Sequence, residues 1–82
     1  MRAKVYVTLK KGVLDPQGKT VHRALHSLGY RDVQEVRQGK YFELLLPDNL
    51  SAERARQLVE SAAREVLTNT VIEDFRFELE GL

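Results

Sequence analysis

Residues 3–10 alternate strictly. Ala3, Val5, Val7 and Leu9 fall on one side, and Lys4, Tyr6, Thr8 and Lys10 on the other. Period two with β-branched residues predicts a strand with one buried face. The pattern breaks at Gly12-Val13-Leu14-Asp15-Pro16. Asp15 suits a helix N-cap, and Pro16 suits the first helical position, where its missing N–H costs nothing. Val21, Ala24, Leu25 and Leu28 then recur at helical spacing. Gly29 is placed to end the helix in the left-handed conformation, so the spacing predicts a helix over 16–28.

Two short runs follow, Val33–Arg37 and Lys40–Leu46, separated by Gln38-Gly39. Gly39 can supply the positive φ that a tight hairpin needs. Phe42, Leu44 and Leu46 share one face of the second run, with Tyr41, Glu43 and Leu45 on the other. Pro47-Asp48-Asn49 ends it. Ser51 can cap a second helix with Glu53 near its positive end, and Ala55, Leu58, Val59, Ala62, Val66 and Leu67 form its stripe. After the exit turn Thr68-Asn69-Thr70, a last strand is predicted over Val71–Glu80. Phe75, Phe77 and Leu79 face inward there, opposite Asp74, Arg76, Glu78 and Glu80.

The order is βαββαβ. It predicts an α+β fold of the ferredoxin-like kind, a four-stranded antiparallel sheet with both helices on one face. The length of 82 residues makes this one domain, 1–82, near the lower limit for a self-sufficient core. A chain this short gains stability by associating with others. The absence of cysteine excludes disulfides, thiolate metal sites and cysteine nucleophiles, and fits a reducing cytoplasm. Neither a signal-peptide apolar run nor a bilayer-spanning stretch is expected.

If both helices cover one face of the sheet, the other is bare. Tyr6, Thr8, Tyr41, Leu45 and Ile72 lie there, among Lys4, Glu43, Asp74 and Arg76. That face is more apolar than water requires, and Tyr and Arg favour interfaces, so it is the expected self-association surface.

No residue pattern announces a catalytic centre. His22 and His26 stand four apart, a spacing that can place two imidazoles on one metal, but no third ligand accompanies them. Glu35, Glu43, Glu73, Asp74, Glu78 and Glu80 fall mostly on solvent faces among Lys and Arg, not in a dry cleft that would split their pKa values. Lys10-Lys11-Gly12 and Gly18-Lys19 lack the glycine spacing of a phosphate loop, and no serine has the flanking glycines of a nucleophile elbow. An RNA-recognition module shares this element order, and Val5-Tyr6-Val7-Thr8-Leu9 is similar to its first strand signature. The second signature departs at Lys40 and Glu43, and a net charge of +1 leaves no basic excess for nucleic acid. A small-ligand regulatory domain of similar topology is a further alternative.

Val5–Lys10, Gly12-Val13-Leu14-Asp15-Pro16-Gln17-Gly18-Lys19 and Ala24-Leu25-His26-Ser27-Leu28-Gly29-Tyr30 closely resemble the PurS family. So do Gly39–Leu44 and Val71–Glu78. The likeness runs in order over essentially the whole chain. It implies a non-catalytic subunit of phosphoribosylformylglycinamidine (FGAM) synthase in purine biosynthesis. By that resemblance, the complex converts formylglycinamide ribonucleotide (FGAR), glutamine and ATP to FGAM, glutamate, ADP and phosphate. The partners it implies are the glutaminase PurQ, the synthetase PurL, which uses ATP and Mg, and a second copy of this chain. It implies no cofactor in this chain, no nucleic acid and no membrane, and a bridging role that helps ammonia pass between the two enzymes. Tyr6, Thr8, Tyr41 and Leu45 are the expected self-association residues, and Asp15, Pro16, Gln17 and Gly18 the expected partner loop.

Overall fold

The computed structural model describes residues 1–81. Strand β1 (Arg2–Leu9) is central in a three-stranded antiparallel sheet, between β2 (Lys40–Leu45) and β3 (Glu73–Glu80). Helix α1 (Pro16–Ser27) follows β1. Helix α2 (Ala52–Ala62) lies between β2 and β3 and continues as a wider, π-helical turn over Ala63–Leu67.

The alternation sets the two faces of the sheet as expected. Ala3, Val5 and Val7 are fully buried on the inner face, with Phe42, Leu44, Phe75, Phe77 and Leu79 packed around them. Val5 lies between Phe42 and Phe77, and Val7 between Lys40 and Phe75. From above, α2 lowers Val59 and Ala63 onto this layer. Its i, i+4 row of Ala55, Val59 and Ala63 is buried, whereas Val66, expected inside, is 78% exposed. A straight α-helix would keep Val66 near the stripe. The π-helical turn, with its i→i+5 bonds, rotates Leu67 onto the core instead.

Helix α1 forms where its signals lie. Asp15 Oδ1 accepts from the Gly18 amide at 2.9 Å, and Pro16 is the first helical residue. At the other end Gly29 has φ +98°, and the Gly29 and Tyr30 amides donate to the His26 and Leu25 carbonyls, a Schellman closure.

Two expectations are corrected. Residues 33–37 are not a strand of this sheet, which among the described residues has three strands rather than four. Nor do both helices cover the inner face: α1 contributes no residue to the core, and only its Gly18 is buried. Both differences come from Gln38-Gly39, where the chain runs on instead of turning back. Gly39 does not adopt positive φ. Its missing side chain serves close approach, since a Cβ there would lie 2.3 Å from the Val7 carbonyl oxygen. The Gln38 amide donates to Asp15 Oδ2 at 2.9 Å, which holds residues 33–38 along α1 rather than along β2. The contacts of Gly18 with Val36 and of His22 Nε2 with the Val33 carbonyl oxygen continue that antiparallel run. Together α1 and residues 33–38 make an arm beyond the end of the sheet.

The Asp15 carboxylate therefore fastens the arm at two points. The Gly18 and Gln38 amides hold it below the ordinary aspartate value. A folded-state pKa below the unfolded one gives stability that is present at neutral pH and lost as pH falls below about 4. Asp15→Asn keeps a capping oxygen but cannot accept both bonds. The variant is expected to have a lower urea midpoint than the parent at pH 7, with the gap narrowing as pH falls below about 4. A gap unchanged across that range would show that the carboxylate's charge contributes nothing.

Candidate interaction surface

Register brings the outer-face residues together. Tyr6 sits opposite Tyr41 on β2 and opposite Arg76 on β3. The two tyrosine rings are 5.2 Å apart between centroids, and the Arg76 guanidinium carbon lies 4.0 Å from the centre of the Tyr6 ring. These three form a continuous stacked ridge across all three strands. Leu45 lies further along β2 and is 84% exposed. Thr8 is exposed on the same face, opposite Asp74. Tyr6, Thr8, Tyr41 and Leu45 thus share one surface. Ile72 is exposed in the turn before β3 rather than within the strand.

Charges frame the ridge as matched pairs. Arg2 reaches Glu43 at 3.1 Å and Glu80 at 3.6 Å, Lys4 reaches Glu80 at 3.3 Å, Lys10 reaches Asp74 at 3.1 Å and Arg76 reaches Glu78 at 3.7 Å. The Tyr41 hydroxyl donates to Glu43 Oε2 at 3.0 Å. That bond, together with Arg2, lowers the Glu43 pKa. The Tyr6 pKa is raised, chiefly by the Glu78 carboxylate, and that of Tyr41 first by desolvation and then by Glu43. Both hydroxyls therefore stay protonated donors at neutral pH. With every basic side chain of this face next to a carboxylate, the strands present no free cationic track for a phosphate backbone. Arg76 on the ridge is the residue that periodicity alone did not single out for a role, because its contact with Tyr6 depends on which strands are neighbours.

The expected partner loop lies elsewhere, where the sheet meets the arm. Asp15, Pro16 and Gln17 line an open cleft of about 450 Å³ with Val7, Leu9, Gln38, Gly39, Lys40 and Glu73. Gly18 is buried beneath Val36 and does not reach the cleft. Lys40 and Glu73 pair at 3.3 Å beside it. Glu73 is held below the ordinary glutamate value mainly by the Asn69 amide. The cleft holds no nucleophile paired with a base. His22 and His26 do meet, with ring centroids 4.8 Å apart, but one His22 nitrogen is engaged by the Val33 carbonyl oxygen. Among the described residues, no three His, Cys, Asp or Glu side chains gather as a metal site requires. No helix among them is long and apolar enough to cross a membrane.

Comparison with known proteins places these surfaces in context. The family model described as "PurS: Phosphoribosylformylglycinamidine (FGAM) synthase" matches residues 2–81. The phosphoribosylformylglycinamidine synthase subunit PurS of Bacillus subtilis (strain 168) is 51% identical over 79 residues, spanning 96% of this chain and 92% of that one. Its crystal structure superposes with a TM-score of 0.82 over 96% of each chain. PurS of Methanocaldococcus jannaschii is one of the subunits of formylglycinamide ribonucleotide amidotransferase in the purine biosynthetic pathway. It is 37% identical, with a TM-score of 0.85 over 99% of this chain and 96% of that one. A chain in the structure of PurLQS from Thermotoga maritima is 28% identical, with a TM-score of 0.85 over 94% of this chain and 93% of that chain.

Proposed function

The chain belongs to the PurS family of FGAM synthase subunits, and from that premise we propose that it is the non-catalytic bridge of this synthase, holding the glutaminase PurQ to the synthetase PurL. The observation that carries this reading is the match to PurLQS, in which a chain of this fold is assembled with those two proteins. The complex turns FGAR, glutamine, ATP and water into FGAM, glutamate, ADP and phosphate in purine biosynthesis. Glutamine hydrolysis by PurQ yields ammonia. PurL, with ATP and Mg, spends a phosphoanhydride bond to replace the amide oxygen of FGAR with that nitrogen.

The bridge matters because free ammonia at neutral pH is protonated and diffuses away. Fixing the two enzymes against each other keeps it neutral and near its acceptor. A subunit with that task needs surfaces rather than a nucleophile. Residues 1–82 act as one unit in the cytoplasm. The ridge of Tyr6, Thr8, Tyr41 and Leu45 associates with another copy, and Asp15, Pro16 and Gln17 face a partner from the cleft. We read the four-stranded, ferredoxin-like sheet as the form reached on association. The test is FGAM synthesis by PurL and PurQ with glutamine, with and without this chain. Turnover is expected only when the chain is present, with the three proteins eluting together. Equal rates without it would refute the bridging role.

A further inference from the structure

The charges of the chain are divided between its two parts. On and beside the sheet, the basic side chains meet carboxylates: Arg2, Lys4, Lys10, Lys40 and Arg76 are all in ion pairs. The arm and the loop that leads into it are different. Of the acidic residues between Lys11 and Arg37, Asp15 accepts from two backbone amides, and Glu35 pairs with Arg37 at 3.6 Å. Lys11, Lys19, Arg23 and Arg31 are then set against Asp32 alone. None of these four cations is in an ion pair among the described residues.

Helical spacing gathers two of them. Lys19 and Arg23 stand one turn apart and follow Pro16 at i+3 and i+7. The three therefore share one face of α1, opposite Val21 and Leu25. Lys19 and Arg23 are both exposed. His26 stands beside them, and α1 contains no acidic residue. The arrangement works against the isolated helix. Like charges at i, i+4 repel, and Lys19 sits near the positive end of the helix dipole, where the first turn holds no acid. Nothing in the fold uses these two cations.

We propose that the Lys19–Arg23 face of α1 docks a carboxylate-rich surface of the partner enzyme seated at the Asp15-Pro16-Gln17 cleft. This deepens the bridging role, on which it rests, by naming the chemistry of one contact. Pro16 joins cleft and helix, because it lines the cleft and begins the row that Lys19 and Arg23 continue. A second copy of the chain is a poor complement. Nearly all its carboxylates are engaged by its own cations or amides. The three left over are Asp32, beyond the end of α1, and Glu53 and Glu65, at opposite ends of α2 and its continuation. A nucleic acid fits no better. Two cations one turn apart, on a helix without Phe, Tyr or Trp, offer neither a phosphate track nor a platform for stacked bases. Exposed charges of this kind set how fast partners meet and which partner is accepted, and salt screens them.

The test is binding of the parent chain and of Lys19→Glu/Arg23→Glu to immobilised PurL, to PurQ and to the two mixed, with glutamine and ATP-Mg present, across a range of NaCl concentrations. The double reversal is expected to bind the mixture at least tenfold more weakly at ~50 mM NaCl and with a flatter salt dependence. The single-enzyme channels show which of the two is the occupant. Lys19→Arg/Arg23→Lys keeps both charges and should bind as the parent does. Both positions are exposed, so each variant should keep the parent's Tm within a few degrees and its mass in light scattering. Equal affinity of parent and double reversal for the mixture overturns the proposal and leaves the bridging role standing. A parent that binds none of the three refutes that role and the proposal with it. Equal weakening toward PurL and PurQ marks a general electrostatic effect and overturns the proposal too. So does a double reversal that changes the mass of the chain on its own, or that loses only retention on single-stranded RNA, because the occupant is then a second copy or a nucleic acid.

Discussion

Replacing Gly18 with alanine is expected to destabilise the fold by about 1–2 kcal/mol, lowering Tm by roughly 5–15 °C. Helix propensity argues the other way, since alanine in place of glycine within a helix gains about 0.5–1 kcal/mol. The surroundings decide the sign. A Cβ at Gly18 would lie 2.3 Å from the Val36 carbonyl oxygen, 2.7 Å from Asp15 Oδ2 and 2.9 Å from Asp15 Cγ. None of these is the loose end of a flexible side chain. Val36 contributes backbone, and Asp15 is held by the Gly18 and Gln38 amides. Relief requires either moving the extended segment off α1 or breaking the cap. Overpacking of this kind costs about 1–3 kcal/mol, more than propensity returns. Lys19→Ala, exposed on the next position of the helix, is the control and should leave Tm within about a degree or two. Thermal unfolding followed by circular dichroism reads both. A Gly18→Ala chain that melts higher than the parent would mean that residues 33–38 do not rest on α1.

The same glycine marks a boundary in what the residues disclose. Local signals were sufficient where one element satisfies itself. Asp15-Pro16 at one end of α1 and Gly29 at the other both behave as their chemistry predicts. The period-two alternation of 3–9, 41–46 and 73–80 assigns the sheet faces without any tertiary information. The stripe of α2 could be read as far as Val59, then failed at Val66 because a π-helical turn is set by what the helix must reach, not by its own sequence. Gly39 was ambiguous in principle. A glycine between two strand-like runs can turn the chain or let two backbones approach, and both uses leave the same letter in the sequence. Which one holds depends on the Val7 carbonyl and on Asp15, residues 32 and 24 positions away. The candidate surface divides likewise. Tyr6 and Tyr41 were legible as one face because parity places them there. That Arg76 completes the ridge follows only from the strand order β2-β1-β3.

Placing a charge in the outer face is expected to separate the two activities of the synthase. Leu45→Glu alters a side chain that is 84% exposed, so the folded chain should retain its circular dichroism and, within a few degrees, its Tm. Its effect belongs to association. If the face becomes the core of an interface, the introduced carboxylate must be desolvated beside Glu43 and Glu80, which already share Arg2. Adding Tyr41→Ala removes half of the tyrosine pair and the hydroxyl that donates to Glu43. The double variant is expected to lose self-association through this face in light scattering and to support glutamine-dependent FGAM synthesis at least tenfold more slowly, since truncating central aromatic anchors and burying unpaired charge are the costly interface changes. Synthesis fed with ammonium salt should not change, because it bypasses PurQ and needs no bridge. A fall in both rates would show that the face acts on PurL catalysis directly rather than on assembly. An unchanged glutamine-dependent rate would show that the ridge stays solvent-exposed in the working complex, leaving the cleft at Asp15, Pro16 and Gln17 to carry the bridging contacts.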